Sequence, residues 1–558
     1  MTKQSLHRAL LLSVIFFTLA LPSRGASNDA ALSRNADIFN SALKELATFY
    51  VDTIDSDKAI ETALTAMLGR LDPYTEYIPP ADVEDFRVLT TGEYGGLGSY
   101  IMEYKGFVYF SEPYEGSPAA RAGIHPGDRI IEIDGESMAG KTSEYVSNHL
   151  KGMPGSVIDL KVVRPYCGDD SVKTFIITRE TIKMEAVTYY GVIGTDGRTG
   201  YIKLETFNEH CGQQVRDALI DLRDNHHITS LIIDLRGNTG GLVDGAVQVL
   251  SLFLPKGTQV LQTHGRDKSS EKTYKTLQQP VDTKLPLVVL IDGNSASASE
   301  IVAGALQDLD RAVIVGTRSF GKGLVQTTRP LPYDGLLKVT IAKYYIPSGR
   351  LIQEIDYSQD PDKKKEATDT LGNIFHTAAG REVRDGGGIT PDIKIDYPEV
   401  SRLVYNIVRD NWAFNYSTLY ASQHPTLDPP EKFAVTDEIF YDFKHFIDPE
   451  KFDYDKVCET GLESLRKVAT TEGYMNDETK AQFDRLADLL KHDLDHDLDI
   501  HRPEIESILA QEIIKHYYYQ RGQTVYDLYH DDAVKRAVEV LGDDKAYRAV
   551  LTPKKSAK

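Results

Sequence analysis

Cysteine is scarce in this chain. Three residues in 558, Cys167, Cys211 and Cys458, are too scattered and odd in number for a disulfide framework or a zinc ligand set. None stands in a glycine-rich or helix-opening stretch, so a thiolate nucleophile is not expected. Positive charge is also short: 63 Lys and Arg against 83 Asp and Glu leave a formal charge of −20. That balance argues against nucleic acid or an anionic membrane surface as the main partner. Long apolar runs are limited to Ala9–Leu21, preceded by Lys3 and Arg8 and followed by small residues around Gly25 and Ala26. The run is short for a membrane span and has the layout of a secretory signal peptide over residues 1–26, an uncleaved anchor being the alternative. No cysteine near its end provides for a lipid anchor. The mature chain is therefore expected to be exported, periplasmic and soluble. Internal repeats are absent, and so is any G-x-S-x-G elbow.

What is present divides into several units, as the length requires. Apolar residues at helical spacing from Ile38 to Leu68 predict an N-terminal helical cap over residues 30–90, ended by Leu71-Asp72-Pro73. This cap serves either dimerisation or simple packing on the core. Residues 91–183 carry Tyr94-Gly95-Gly96-Leu97-Gly98, then Gly116-Ser117-Pro118-Ala119-Ala120-Arg121-Ala122-Gly123 and Pro126-Gly127-Asp128-Arg129-Ile130-Ile131-Glu132-Ile133-Asp134-Gly135. Strands flank these motifs, and a helix is expected over Thr142–Leu150. This ordered pattern resembles a PDZ domain of the kind found in bacterial proteases. A glycine turn before an open strand edge exposes backbone N–H groups that can hold a chain-terminal carboxylate, and the peptide then adds as a strand. Tyr94, Gly95, Gly96, Leu97, Gly98, Val146 and Leu150 are the expected peptide-binding residues.

From Tyr189 strands and helices alternate. Ser230–Leu235, Leu287–Ile291 and Ala312–Val315 read as buried strands, which predicts an α/β core over 184–396 with mostly parallel strands. Loops at the carboxyl ends of such strands carry function. Arg236-Gly237-Asn238-Thr239-Gly240-Gly241 and Asn294-Ser295-Ala296-Ser297-Ala298-Ser299-Glu300 both fall there. Residues 397–558 form an acidic, tyrosine-rich region with helices expected over Asp477–Leu490 and Pro503–Gln520, its role unread.

Ser297 and Glu300 form a capping box, and a helix N-terminus that starts at a serine also suits a nucleophile, because its free N–H groups stabilise an oxyanion. No histidine lies in the core loops, and His210 is expected at the surface. Lys322, between Gly321 and Gly323, is the available base; a lysine serves as one only when it is neutral, which burial favours. Gly323–Gln326 looks extended, so Lys322, Leu324 and Gln326 share a face and Gln326 can orient the amine.

The combination NSASASE…SFGKGLVQ closely resembles the C-terminal processing peptidases, or tail-specific proteases, from the N-terminal helices to about Asp392. The resemblance implies a crotonase/Clp-protease-like core with an inserted PDZ-like module. It also implies an endopeptidase with Ser297 as nucleophile, Lys322 as general base and Gln326 as the residue orienting it. The oxyanion hole would be the N–H groups of Gly241 and Ala298. Ser295 and Ser299 are rival nucleophiles, and only the resemblance chooses between the three. Relatives often carry Arg-Gly after the PDZ helix, where this chain has Lys151-Gly152. Expected partners are protein substrates with apolar C-termini; no cofactor or metal is implied, and the helical ends are candidates for homo-oligomer or adaptor contacts.

Three other readings fit parts of the sequence. Gly316–Gly323 nearly matches a phosphate-binding loop, but glycine replaces the final hydroxyl and a strand is expected to follow. A PDZ scaffold with an inactive core is a second reading. His492 and His496 on one helix face are a third, as metal ligands, against a solvated acidic helix.

Overall fold

The computed structural model describes residues 24–168, 171–194, 196–357, 372–452, 457–491 and 493–553. The signal-like run and the segment Asp360–Thr370 fall outside them. Among the described residues no helix is long and apolar enough to cross a membrane. The chain divides into two units, one comprising Met1–Val83, Gln326–Thr340 and Tyr357–Gln359, the other the remainder.

In the smaller unit the expected helical cap is two helices, Arg24–Phe49 and Ser56–Leu68, the second capped by the Asp55 carboxylate. The apolar stripe of the first, including Ile38, Leu46 and Phe49, is exposed. The turn after the second helix closes on Asp72, which accepts the Tyr74 and Thr75 N–H groups. It feeds the short strand Glu76–Ile78, which pairs antiparallel with Leu336–Lys338.

The larger unit is built on a six-stranded sheet in the order Val187–Ile193, Thr199–Leu204, Ser230–Asp234, Leu287–Ile291, Val313–Gly316, Ile393–Lys394. The first pair is antiparallel and the rest are parallel. The three middle runs are buried at every position, as expected for strands covered on both faces. On one face lie the helices Cys211–Asp224, Val243–Phe253 and Ala298–Asp308, packed through Leu219, Leu250 and Ile301 on Ile233 and Val289. On the other, Ile232, Val288, Leu290 and Val315 meet Val534, Ala537 and Tyr547 from the helices Asp532–Gly542 and Asp544–Val550. The last helices of the chain therefore complete the core sandwich, and the Tyr547 hydroxyl both accepts from Leu287 N and donates to Leu287 O.

The remaining C-terminal helices bury a cluster of their own around Phe440, Phe443, Leu509 and Ile513. The long helix runs Arg502–His530, ten residues beyond its expected end, and breaks at Tyr519, where φ is 54°.

Residues 99–178 form a separate antiparallel sheet, ordered Ser99–Tyr104, Phe107–Pro113, Arg129–Ile133, Val157–Val163, Val172–Thr178. Helix Ser143–Leu150, capped by Thr142, packs on it. Ser99–Tyr104 is the edge strand, open to an added peptide.

Candidate active site

Ser297 sits between the buried strand Leu287–Ile291 and the helix Ala298–Asp308, whose residues are all buried. It is not an ordinary N-cap. Its φ of 54° and ψ of −109° lie outside the extended region that a cap occupies, a strained setting for a residue with a Cβ. Several contacts hold it there. Its N–H donates to Glu300 Oε2 at 2.8 Å, the carboxylate half of the capping box. Before it, Asp292 Oδ1 accepts the N–H groups of Asn294 and Ser295, and Ala296 N donates to Asn238 O.

The two rival serines are used structurally. Ser295 is fully buried and donates to Leu235 O at 2.8 Å; Ser299 is fully buried and donates to Asn238 O at 2.8 Å. Ser297 alone of the three keeps partial exposure.

Glu300 joins this loop to the lysine. Fully buried, its carboxylate accepts from Ser319 Oγ and Gly321 N through Oε1, and from Ser297 N and Lys322 N through Oε2. Two backbone nitrogens 297 and 322 in sequence are thus each within 3 Å of one oxygen atom. Tyr344 repeats the clamp from the other side. Its hydroxyl lies 2.8 Å from Lys322 O and 3.2 Å from Ser297 O, placed to donate to both. Burial pushes the Glu300 carboxyl up, and its hydrogen bonds offset only part of that. All four partners are donors, which is the environment an ionised carboxylate requires. Gly321 and Gly323 leave room for this packing: a Cβ on Gly321 would lie 2.7 Å from Glu354 Cβ, and one on Gly323 2.9 Å from Gln353 N. Lys322 itself is half-buried. It is followed by the strand Leu324–Pro330, not by the helix that a phosphate-binding loop needs.

The glycine loop closes on the same point. Asn238, fully buried, donates to Leu204 O and accepts from Gly240 N. Gly240 has φ of +104°, and a Cβ there would stand 2.9 Å from Ser297 Cβ and 3.0 Å from Ala298 N. Gly241, at φ +138°, has Phe207 O 2.4 Å from the Cβ position, so only glycine fits. Neither Gly241 N nor Ala298 N has an acceptor among the described residues. Gln326 belongs to the smaller unit, where its amide donates to Thr340 Oγ1 at 3.0 Å.

One expectation about the cysteines needs correction. Cys211 does open a helix, but it is fully buried and burial pushes its thiol up to about 12, which keeps it protonated. His210 is exposed, as expected. His492 lies outside the described residues, so the His492–His496 pair is not placed.

In the PDZ-like module a groove of about 340 Å³ lies between the edge strand and helix Ser143–Leu150. Tyr94, Gly96, Leu97, Gly98 and Leu150 line it. Gly95 and Val146 do not. Gly95 faces the Gly152–Pro154 turn, and Val146 is wholly buried in the module's own core, because its side of the helix turns toward Ile130 and Ile158. Ile101, Tyr100 and Tyr114, which sequence reading missed, take their places; alternation along Ser99–Tyr104 is the signal that would have found the first. Lys151 also lines the groove, its amine 2.7 Å from Asp85 Oδ1.

Three family models match the chain: Peptidase family S41 over residues 198–362, a PDZ domain over 109–164, and the C-terminal helical domain of probable PDZ-proteases over 403–541. The carboxy-terminal-processing protease of Bartonella bacilliformis is 38% identical over 61% of this chain and 78% of its own length. The chain belongs to the carboxy-terminal processing protease family. It is a PDZ-containing, serine-type endopeptidase. Carboxy-terminal processing protease CtpB of Bacillus subtilis is 33% identical over 60% of this chain and 69% of its own. Among solved structures, the photosystem II D1 C-terminal processing protease aligns at 27% identity over 64% of this chain and 92% of its own, with a TM-score of 0.34.

Proposed function

We propose that this protease works through a Ser–Lys dyad. Ser297 Oγ attacks the scissile carbonyl as its proton passes to Lys322 Nζ. The N–H groups of Gly241 and Ala298 hold the oxyanion, and Gln326 orients the lysine amine. Collapse of the tetrahedral intermediate breaks the C–N bond; Lys322 returns the proton to the leaving amine and then activates the water that hydrolyses the acyl-enzyme. The observation that carries this reading is the double clamp. Glu300 and Tyr344 hold the backbones of Ser297 and Lys322 side by side, while Ser295 and Ser299 have their hydroxyls committed elsewhere.

The PDZ groove captures apolar substrate C-termini, with backbone N–H groups around Gly96–Gly98 taking the carboxylate, and the chain acts after export to the periplasm. The exposed stripe of helix Arg24–Phe49 serves contacts with a second copy or an adaptor. Mass spectrometry of a denatured protein incubated with wild type, Ser297→Ala and Lys322→Ala tests the dyad. Cleavage by wild type and at least a thousandfold less, on the order expected for a lost nucleophile or base, is the expected result. Equal cleavage by Ser297→Ala would sink it. Because the amine acts only when unprotonated, the rate rises with pH; a flat profile from about pH 5 to 9 would argue against Lys322 as base.

A further inference from the structure

Arg236 takes no part in this scheme, yet it opens the loop that ends in Gly241. It is tied down by charge. Asp234, fully buried, receives Arg236 Nε at 3.0 Å on Oδ1 and Nη2 at 2.6 Å on Oδ2. The same carboxylate accepts Arg236 N and the Tyr201 hydroxyl, and Lys203 Nζ donates to Arg236 O. Burial alone would push Asp234 up, but Arg236 and Lys203 outweigh it and hold the carboxyl below its ordinary range.

The remaining guanidinium nitrogen, Nη1, leaves the core and meets Asp531 Oδ2 at 2.5 Å. Asp531 belongs to the C-terminal helical region. Its second oxygen caps the helix Asp532–Gly542 by accepting Val534 N at 2.8 Å. One carboxylate therefore both starts the helix that covers the back of the core sheet and holds the head of the glycine loop. Arg236 Nη1 also lies 3.5 Å from the Tyr397 hydroxyl, a far longer contact. Arg236 and Asp531 line a polar cavity of about 460 Å³. From Arg236 the backbone passes directly to Gly237, whose N–H donates to Asp292 Oδ1, the oxygen that also accepts Ser295 N. A shift at Arg236 is transmitted to both the glycine loop and the serine loop.

We propose that Asp531 is a positioning residue for the oxyanion site, acting through Arg236 on Gly240 and Gly241; this rests on the role given above to Gly241. The test is Asp531→Asn, assayed on a small chromogenic ester that needs only the nucleophile and the oxyanion site. Asparagine caps a helix as well as aspartate does but lacks the charge that holds Arg236. The expected result is a kcat lower by about tenfold with KM within about twofold, since small misplacements of a catalytic group cost rate more than binding. Labelling of Ser297 by a fluorophosphonate probe should still reach full stoichiometry, more slowly. The neighbouring Asp532→Asn, on an exposed side chain, should match wild type.

Wild-type kcat in Asp531→Asn overturns the proposal. So does a loss of activity that merely equals a loss of labelled fraction, which means partial unfolding. If Asp531→Asn lowers the unfolding midpoint too far to assay, Arg236→Lys replaces it. Lysine keeps the charge beside Asp234 but cannot fork to Asp531 as well, and the same kcat-selective loss is expected, with wild-type kcat again overturning the idea. Full activity of Ser297→Ala would instead overturn the dyad itself, so the two failures are distinguishable.

Discussion

The serine loop and the PDZ groove both offer backbone groups to a polypeptide, but they are built in opposite ways. Around Ser297 the polar groups are enclosed and paired: Asn238, Ser295, Ser299 and Glu300 are fully buried, and each has named partners. Around the groove the polar groups lie on an open edge strand, and Tyr100 is well exposed. The difference follows from what each must do. Acyl transfer needs donors fixed before the charge develops, whereas strand addition needs backbone groups left free for a variable partner.

The comparison predicts that small changes in the serine loop cost far more than larger ones in the groove. The largest effect is expected for Glu300→Gln. The amide presents an N–H to at least one of four donors, so kcat should fall by about a thousandfold and stability by about 1–3 kcal/mol for a buried unsatisfied group. Steady-state kinetics with a chemical denaturation curve checks both; near-normal kcat would show that the clamp is dispensable. Next is Gly240→Ala, a single methyl placed against Ser297 Cβ and Ala298 N, expected to lower kcat about a hundredfold with peptide binding to the groove unchanged. Ile101→Asp in the groove is a larger chemical change with a smaller consequence. It should weaken binding of a peptide with an apolar C-terminus by about tenfold, measured by fluorescence anisotropy, with a lesser effect on ester hydrolysis. Equal losses in both assays would erase the distinction between the two sites.

The smallest effect concerns stability. Burial pushes Asp527, at the wall of the Arg236 cavity, up to about 6. A carboxyl raised in the folded state costs stability as pH rises from its ordinary pKa near 4 through 6, and none below both values. Asp527→Asn should therefore raise the unfolding midpoint at pH 7.5, by a gain of about 2 kcal/mol after allowance for solvent screening, and leave it unchanged at about pH 3, below both values. Thermal unfolding at the two pH values checks the sign.

Much of this was legible in one dimension. The runs Ser230–Asp234, Leu287–Ile291 and Val313–Gly316 are apolar enough to be buried strands wherever they occur, and the alternation with helices dictates a largely parallel sheet. The capping box at Ser297 and Glu300 and the glycines around Lys322 are local signals, because backbone conformation at a turn depends on near neighbours. Three things needed the tertiary structure. Ser295, Ser297 and Ser299 share one short run, and the carbonyls of Leu235 and Asn238, some sixty residues away, are what occupy the hydroxyls of the first and the last. Val146 and Leu150 share a helical spacing, yet only the sheet beneath decides that the first is core and the second faces the groove. The meeting of Glu300, Lys322 and Tyr344, and of Arg236 with Asp531, joins segments far apart in the chain. Such pairs leave no periodicity to read, since their energy comes from long-range burial and charge and not from local backbone preference.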